Sequence, residues 1–303
     1  MSVPSNHVRL LRVNEIEKCS ELIRGAGLTE PTSLMRTEMS IEPNGFFVVV
    51  DDVTDELMAV CGCVSHDPRV VYVGPYATRK DLQGKGVGIK AWRACMEYIG
   101  GRNAGLCASP TGAPLYYNKG GFRVVDPYTQ LVFSSKRPNV SNLESKAPPN
   151  ITVVELTRDL DTKVIGYDEV VIKVNRKQLL ELTLNEDDSL TLVALDGRNV
   201  VGYGSLKMVD QFTTKMGALY ADTPAIAEFL THQLLTKFRS IDATNNGLYW
   251  MLIEQNPDSV KLLEKLGCDV VFSMPRYYTK YVPEPAADIT RVFSINSPGT
   301  GPY

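Results

Sequence analysis

The sequence predicts an α/β protein built from two tandem, related domains. Three observations point there. The 303 residues exceed what one hydrophobic core usually takes. A polar, proline-rich stretch from Ser134 to Asn150 separates the two halves. Segments of the first half recur weakly in the second, in the same order. The expected division is residues 1–134 for the first domain, 135–150 for the linker and 151–303 for the second domain.

In the first half, Val8 to Val13 reads as a strand. Asn14 is a helix cap with Glu17 three residues on, and Ile16, Cys19, Leu22 and Ile23 form an apolar helical face that Gly25 and Gly27 end. Thr32 to Met39 reads as a second short helix. Phe46 to Val50 and Leu57 to Ser65 read as a hairpin, and Val70 to Ala77 as the next strand. A glycine loop follows, then a helix from Val87 to Tyr98. Leu106 to Ala108 is a short strand. Ser109-Pro110-Thr111 opens a helix carrying Tyr116 and Tyr117, which Gly120-Gly121 ends. Phe122 to Val125 and Thr129 to Phe133 read as two final strands.

The stretch that carries chemistry is Leu82-Gln83-Gly84-Lys85-Gly86-Val87-Gly88, set between a strand and a helix. Glycines at alternate positions let the backbone curl and approach a ligand closely. Unpaired N–H groups and the helix dipole favour an anion there, so the loop is a candidate phosphate or pyrophosphate site. It is not a P-loop, because Gly86 rather than a hydroxyl residue follows Lys85. Nor is it a dinucleotide fingerprint: the spacing is Gly-x-Gly-x-Gly, and the nearest later acid, Glu97, lies inside the helix.

Gln83-x-x-Gly86-x-Gly88 resembles the Gln/Arg-x-x-Gly-x-Gly/Ala signature of the GNAT acyltransferase superfamily, and Leu115-Tyr116-Tyr117-Asn118-Lys119-Gly120-Gly121-Phe122 resembles its Leu-Tyr-x-x-x-Gly-Phe segment. The resemblance implies a mixed, mostly antiparallel central sheet flanked by helices in each domain. It implies that Gln83, Gly84, Lys85, Gly86, Val87 and Gly88 hold the pyrophosphate of acetyl-CoA, with Asn118 a further contact. Tyr76, Ala77 and Thr78 would pair with the pantetheine amides like an added strand. Arg79 and Lys80 are candidates for the 3′-phosphate, with a solvated loop face the competing reading. Tyr117 falls on the family tyrosine, which implies the general acid that protonates the leaving thiolate.

The general base is open at this stage. The strand before the loop carries no carboxylate, so His66 and Asp67 are the nearest candidates, beside a turn role for His66 or a water relay. The expected activity is N-acetyl transfer from acetyl-CoA to a small-molecule amine; the alternative is a non-catalytic acyl-CoA sensor. Around the acceptor, Glu30, Glu38 and Glu42 favour a cationic amine, while Arg36 could pair a carboxylate.

In the second half, Asn199 to Ser205 echoes Ala59 to Ser65, Gly217 to Ala221 echoes Val73 to Ala77, and Leu262 to Val271 echoes Tyr116 to Val125. The chemistry is lost. Asp222-Thr223-Pro224 replaces the glycine loop and suits a capped helix start, Leu263 stands where Tyr117 stands, and Asn256 opens the last helix. This half resembles the degenerate C-terminal domain of tandem GNAT proteins of the YitH type over residues 151–298.

A net charge of −3 argues against a nucleic-acid partner. No apolar run approaches about 20 residues, and Met1 to Asn6 has no signal pattern, so no membrane and a cytoplasmic location are expected. Six cysteines form no CxxC pair, and none of three histidines joins them at ligand spacing; free buried thiols and no metal are expected. A monomer or a dimer fits equally.

Overall fold

The computed structural model describes residues 3–186, 188–210, 213–238 and 247–297. The ends of both expected domains, residues 1–2 and 298–303, lie outside the described residues. The first half runs β1 (Asn6–Leu10), α1 (Ile16–Gly25), α2 (Thr32–Ile41), β2 (Phe46–Asp51), β3 (Leu57–Asp67), β4 (Val70–Thr78), α3 (Gly88–Ile99), β5 (Ala104–Cys107), α4 (Ala113–Lys119) and β6 (Val124–Ser135). The second runs β7 (Ile151–Glu155), α5 (Arg158–Ile172), α6 (Lys177–Thr183), β8 (Ser189–Asp196), β9 (Asn199–Asp210), β10 (Thr213–Ala221), α7 (Pro224–Lys237), β11 (Gly247–Ile253), α8 (Pro257–Lys265), β12 (Asp269–Tyr278) and β13 (Val292–Ser294).

Alternation along the strands sorts side chains to two faces, as a pleated strand requires. Val49, Cys61, Cys63, Val71 and Val73 meet α3 on one face. Val48, Val50, Val60 and Val64 meet α1 and α2 on the other. The second half repeats the arrangement, with α7 and α8 on one face and α5 and α6 on the opposite one. All six cysteines are free thiols, and Cys61 and Cys63 share a face with Cys95 of α3.

The strands form one sheet in the order β1-β2-β3-β4-β5-β12-β6-β11-β10-β9-β8-β7, with β13 on β10. Among the described residues only β4–β5 and β10–β11 pair in parallel; the other pairs are antiparallel. The sequence reading of two final strands in the first half is corrected here. Residues 124–135 form one long strand, and Phe122 stays outside it, fully buried against Trp92 and Tyr116. This strand crosses to the second half. It pairs with β11, while β12 returns to pair with both β5 and β6. Each half thus receives a strand from the other. The stretch after β6 is pinned on the second half: Asn139 N–H donates to the Leu266 carbonyl at 2.8 Å, and Leu143 is buried in that core.

Local chemistry explains the helix starts. Thr223 accepts from Ile226 N–H ahead of Pro224, and Asn256 accepts from the N–H groups of Asp258 and Ser259, as the sequence predicts. Asn14 does not cap α1. Instead a short 3-10 turn precedes the helix, and the Glu15 carboxylate accepts from Arg12 N–H at 3.0 Å while pairing with Arg9. Among the described residues no helix is long and apolar enough to cross a membrane, and no group of three or more His, Cys, Asp or Glu could hold a metal ion.

Candidate active site

The site is built on a gap in the sheet. β4 pairs with β5 only at Val71–Ala104 and Tyr72–Gly105, and beyond that point the two strands diverge. On its other side β4 stays paired with β3 through Thr78. The edge of β4 from Val73 to Thr78 therefore faces the gap without a strand partner, and its backbone groups are available to an extended ligand. Pro75 has no N–H, so Tyr76, Ala77 and Thr78 carry the donors nearest the loop.

The glycine loop lies directly after this edge. Gly84 and Gly86 have φ of +73° and +81°, a region that side chains rarely adopt, and the space that a Cβ would occupy at either is open. Gln83 ties the loop to β4 by donating from its side-chain amide to the Thr78 carbonyl at 3.1 Å. Val87 and Gly88 are buried at the start of α3, and Lys85 is exposed beside them. A Cβ on Gly88 would collide with Thr78 Oγ1 and lie 2.9 Å from the Tyr76 hydroxyl, so the helix start meets β4 only through glycine. The predicted set Tyr76 to Thr78 and Gln83 to Gly88 is thus one contiguous surface. Asn118 is exposed on α4. Arg79 is paired with Asp81 at 2.8 Å and with Glu56 at 3.7 Å, which leaves it the less available of the two phosphate candidates.

A cavity of about 200 Å³ passes through the gap. Trp92 and Tyr116 border it on the α3 face, while Ile23, Leu34, Met35 and Glu38 border it on the α1–α2 face. The second half contributes Phe272 and Met274 from β12, with Ser297 close by.

The two catalytic candidates, His66 and Tyr117, lie in different surroundings. His66 is not in a turn: it is the last residue but one of β3, with its ring stacked on Tyr72 at 5.5 Å. Both ring nitrogens are buried without a partner among the described residues. Burial, with Arg176 and Arg276 adding positive charge, pushes its pKa down to about 3. It does not border the cavity, so the structure separates it from any acceptor there. Asp67, by contrast, is engaged by Arg69 at 2.8 Å.

Tyr117 is 43% exposed and rests edge-on against Tyr277, outside the cavity wall. Its neighbour Tyr116 lines the cavity and packs between Trp92 and Phe122, where burial raises its phenol pKa.

Sequence reasoning missed Glu38 as a distinct group. It is 4% exposed, borders the cavity, and hydrogen-bonds through its side chain to none of the described residues. Burial, then the charges of Glu30 and Glu186, hold its carboxyl well above the ordinary range, against the opposing pull of Lys215. A signal was present: Glu38 lies four residues after Leu34 and three after Met35, on the apolar stripe of α2. Arg36, its sequence-level rival, is on the surface, paired with Glu17.

The second half has the same gap, and the chain fills it. β10 pairs with β11 only over Thr213–Lys215. Beyond that, β13 lies between them: it pairs with Leu219 and Tyr220 of β10, Trp250 Nε1 donates to the Phe293 carbonyl at 3.0 Å, and Ile295 N–H donates to the Met251 carbonyl at 3.0 Å. Leu263, opposite number of Tyr117, is fully buried in the core.

Comparison with known proteins agrees with this geometry. Residues 12–112 match a family model described as the acetyltransferase (GNAT) family, and residues 164–294 match one described as an acetyltransferase (GNAT) domain. No curated protein matches the chain. Among solved structures, a protein of Pyrococcus horikoshii assigned to the acetyltransferases is 20% identical, with 99% of this chain and 98% of that one covered and a TM-score of 0.73. A tandem GNAT protein from the clavulanic acid biosynthesis pathway is 12% identical, with 92% and 100% covered and a TM-score of 0.66. The Saccharomyces cerevisiae N-myristoyltransferase is 10% identical, with 98% and 85% covered and a TM-score of 0.64. At these identities the solved structures speak for the fold, and the two family matches for the lineage. The chain is a tandem member of the GNAT acetyltransferase family, with one open and one self-filled sheet gap.

Proposed function

We propose that the chain is a cytoplasmic N-acetyltransferase that moves an acetyl group from acetyl-CoA directly to the amine of a small molecule. The observation that carries this reading is the unpaired edge of β4, from Val73 to Thr78, running into the glycine loop at the start of α3. The substrate thioester supplies an activated acetyl carbon. The residues of the chain hold and orient it. The N–H groups of the loop and of the first turn of α3 suit the pyrophosphate, with Lys85 adding charge. Successive N–H groups of β4 alternate between β3 and the gap, and Arg79 N–H donates to the Met58 carbonyl of β3. The N–H groups of Tyr76 and Thr78, on either side of Ala77, therefore suit the pantetheine amides and the developing oxyanion. Lys80 is the candidate left for the 3′-phosphate.

Tyr117 is the proposed acid for the thiolate. It sits on α4 on the same face as α3 and is open to solvent. The raised phenol of Tyr116 is a poorer match to a thiol of pKa near 8.5. The second half covers one side of the gap with β12, which supports a role in shaping the acceptor site and a monomer in solution. The net charge of −3 supports the absence of a nucleic-acid partner.

Tyr117→Phe separates an enzyme from an acyl-CoA sensor. Turnover, followed as free thiol across a panel of amines, is expected to fall about 100-fold or more, while acetyl-CoA still raises the melting temperature as in the wild type. Unchanged turnover in Tyr117→Phe contradicts the assignment of the acid.

A further inference from the structure

We propose that the α1–α2 side of the cavity is an acceptor site for an apolar primary monoamine, and that Glu38 receives its ammonium group and takes one of its protons. The inference rests on the transferase reading above and names its second substrate.

Three observations carry it. The first is the wall. Ile23, Leu34, Met35, Val73, Phe272 and Met274 make it apolar, and among its described residues there is no Lys, Arg or His. An acceptor bearing a carboxylate or a phosphate finds no counter-charge here. The second is Glu38. Among the described residues lining the cavity the charged ones are Glu30 and Glu38. Glu30 is already committed, to Lys215 at 2.6 Å and to Ser297 at 3.2 Å. Glu186, behind the wall, is held by Lys207 at 2.6 Å and by Ser33 and Thr37. Glu38 has no such partner among the described residues. Its carboxylate is nine-tenths buried and borders the cavity, so a cation entering there completes a pair that the protein leaves open. The third is size. An apolar cavity of about 150 Å³ holds a benzene ring, and this one is about 200 Å³ over both faces, so its α1–α2 side suits nothing larger than a single ring or a short alkyl chain carrying its amine.

The charges that face Glu38 set its behaviour. Glu30 from the loop before α2 and Glu186 from the loop after α6 disfavour its ionisation, and Lys215 from β10 favours it. An ammonium ion adds a second favourable charge. The acceptor R–NH3+ then gives one proton to Glu38. The free nitrogen pair bonds to the thioester carbonyl carbon, the C–S bond breaks with its electrons on sulfur, and a second proton leaves nitrogen as the thiolate gains one. Amide and CoA thiol are the products, and the proton on Glu38 returns to solvent.

The test uses the full chain with acetyl-CoA and four acceptors: 2-phenylethylamine, phenylalanine, glucosamine and spermidine. 2-Phenylethylamine is expected to exceed phenylalanine in kcat/KM by about 100-fold or more, because the added carboxylate would sit beside Glu38. Glu38→Gln is expected to raise its KM about ten- to a hundredfold and to remove the rise of activity with pH, while the acetyl-CoA melting shift is kept. The melting shift given by 2-phenylethylamine itself is expected to grow with pH in the wild type and not in Glu38→Gln. Preference for phenylalanine, glucosamine or spermidine overturns the acceptor inference and leaves the transferase reading intact. So does a wild type that binds acetyl-CoA but turns over none of the four, or a Glu38→Gln variant with unchanged KM and pH profile. A wild type that does not bind acetyl-CoA overturns the transferase reading and this inference with it.

Discussion

Asp168→Ala is expected to destabilise the fold by about 3–5 kcal/mol, the cost of stranding one member of a buried ion pair. Asp168 is fully buried on α5 and receives Arg176 through two parallel bonds of 2.8 and 2.7 Å. The Tyr203 hydroxyl donates to the same carboxylate at 2.5 Å, and Arg176 also donates to the Tyr220 hydroxyl at 2.8 Å. Arg176 is itself 3% exposed, and a guanidinium cannot shed its charge. Removing the carboxylate leaves that charge uncompensated between two phenol rings and deprives Tyr203 of its acceptor. Asp168→Asn keeps oxygen and shape, so it is expected to cost less. Urea denaturation of the three proteins at neutral pH checks the order. A variant Asp168→Ala as stable as the wild type would show that the pair contributes nothing net. Tyr220 holds the strand position that Tyr76 holds in the first half. Where one half keeps an open gap, the other has built a locked polar core and laid β13 across the gap.

Gly86→Glu is expected to weaken acetyl-CoA binding about 100-fold or more, through two additive effects. The backbone at residue 86 is left-handed, with φ of +81°, which costs a non-glycine residue about 1–2 kcal/mol. The new carboxylate would also occupy the open space at the helix start where the anionic pyrophosphate belongs. The loop is exposed, so the fold itself should survive the change. Titration of each protein with acetyl-CoA by calorimetry reads the difference, and equal affinities would remove the pyrophosphate from this loop.

Much of this architecture is legible in the sequence, because local rules act on local stretches. The strands alternate, Thr223 and Asn256 sit at true helix starts, Gly84 and Gly86 need the backbone freedom that glycine gives, and Gly88 has no room for a Cβ. What the sequence hides is long-range. Nothing within residues 124–135 says that they will form a single strand that leaves its own half for β11, since either partner offers the same alternating edge. Residues 292–294 carry no signal that they will fill a gap left by β10 and β11. His66 is a plausible base by its unperturbed pKa alone, and only its packing against Tyr72 near Arg176 and Arg276 removes it. Glu38 was visible among the carboxylates of its loop region but gained its role only when Glu30 proved to be paired with Lys215 of the other half, and Glu186 with Lys207.

Hydrogen–deuterium exchange with and without acetyl-CoA tests most directly the claim that the first gap is the acyl-CoA site. Backbone amides of residues 76–78 and 84–89 are expected to slow on binding, while those of residues 217–221 and 292–295 stay unchanged. Protection confined to the second half, or binding that protects neither gap, would contradict it.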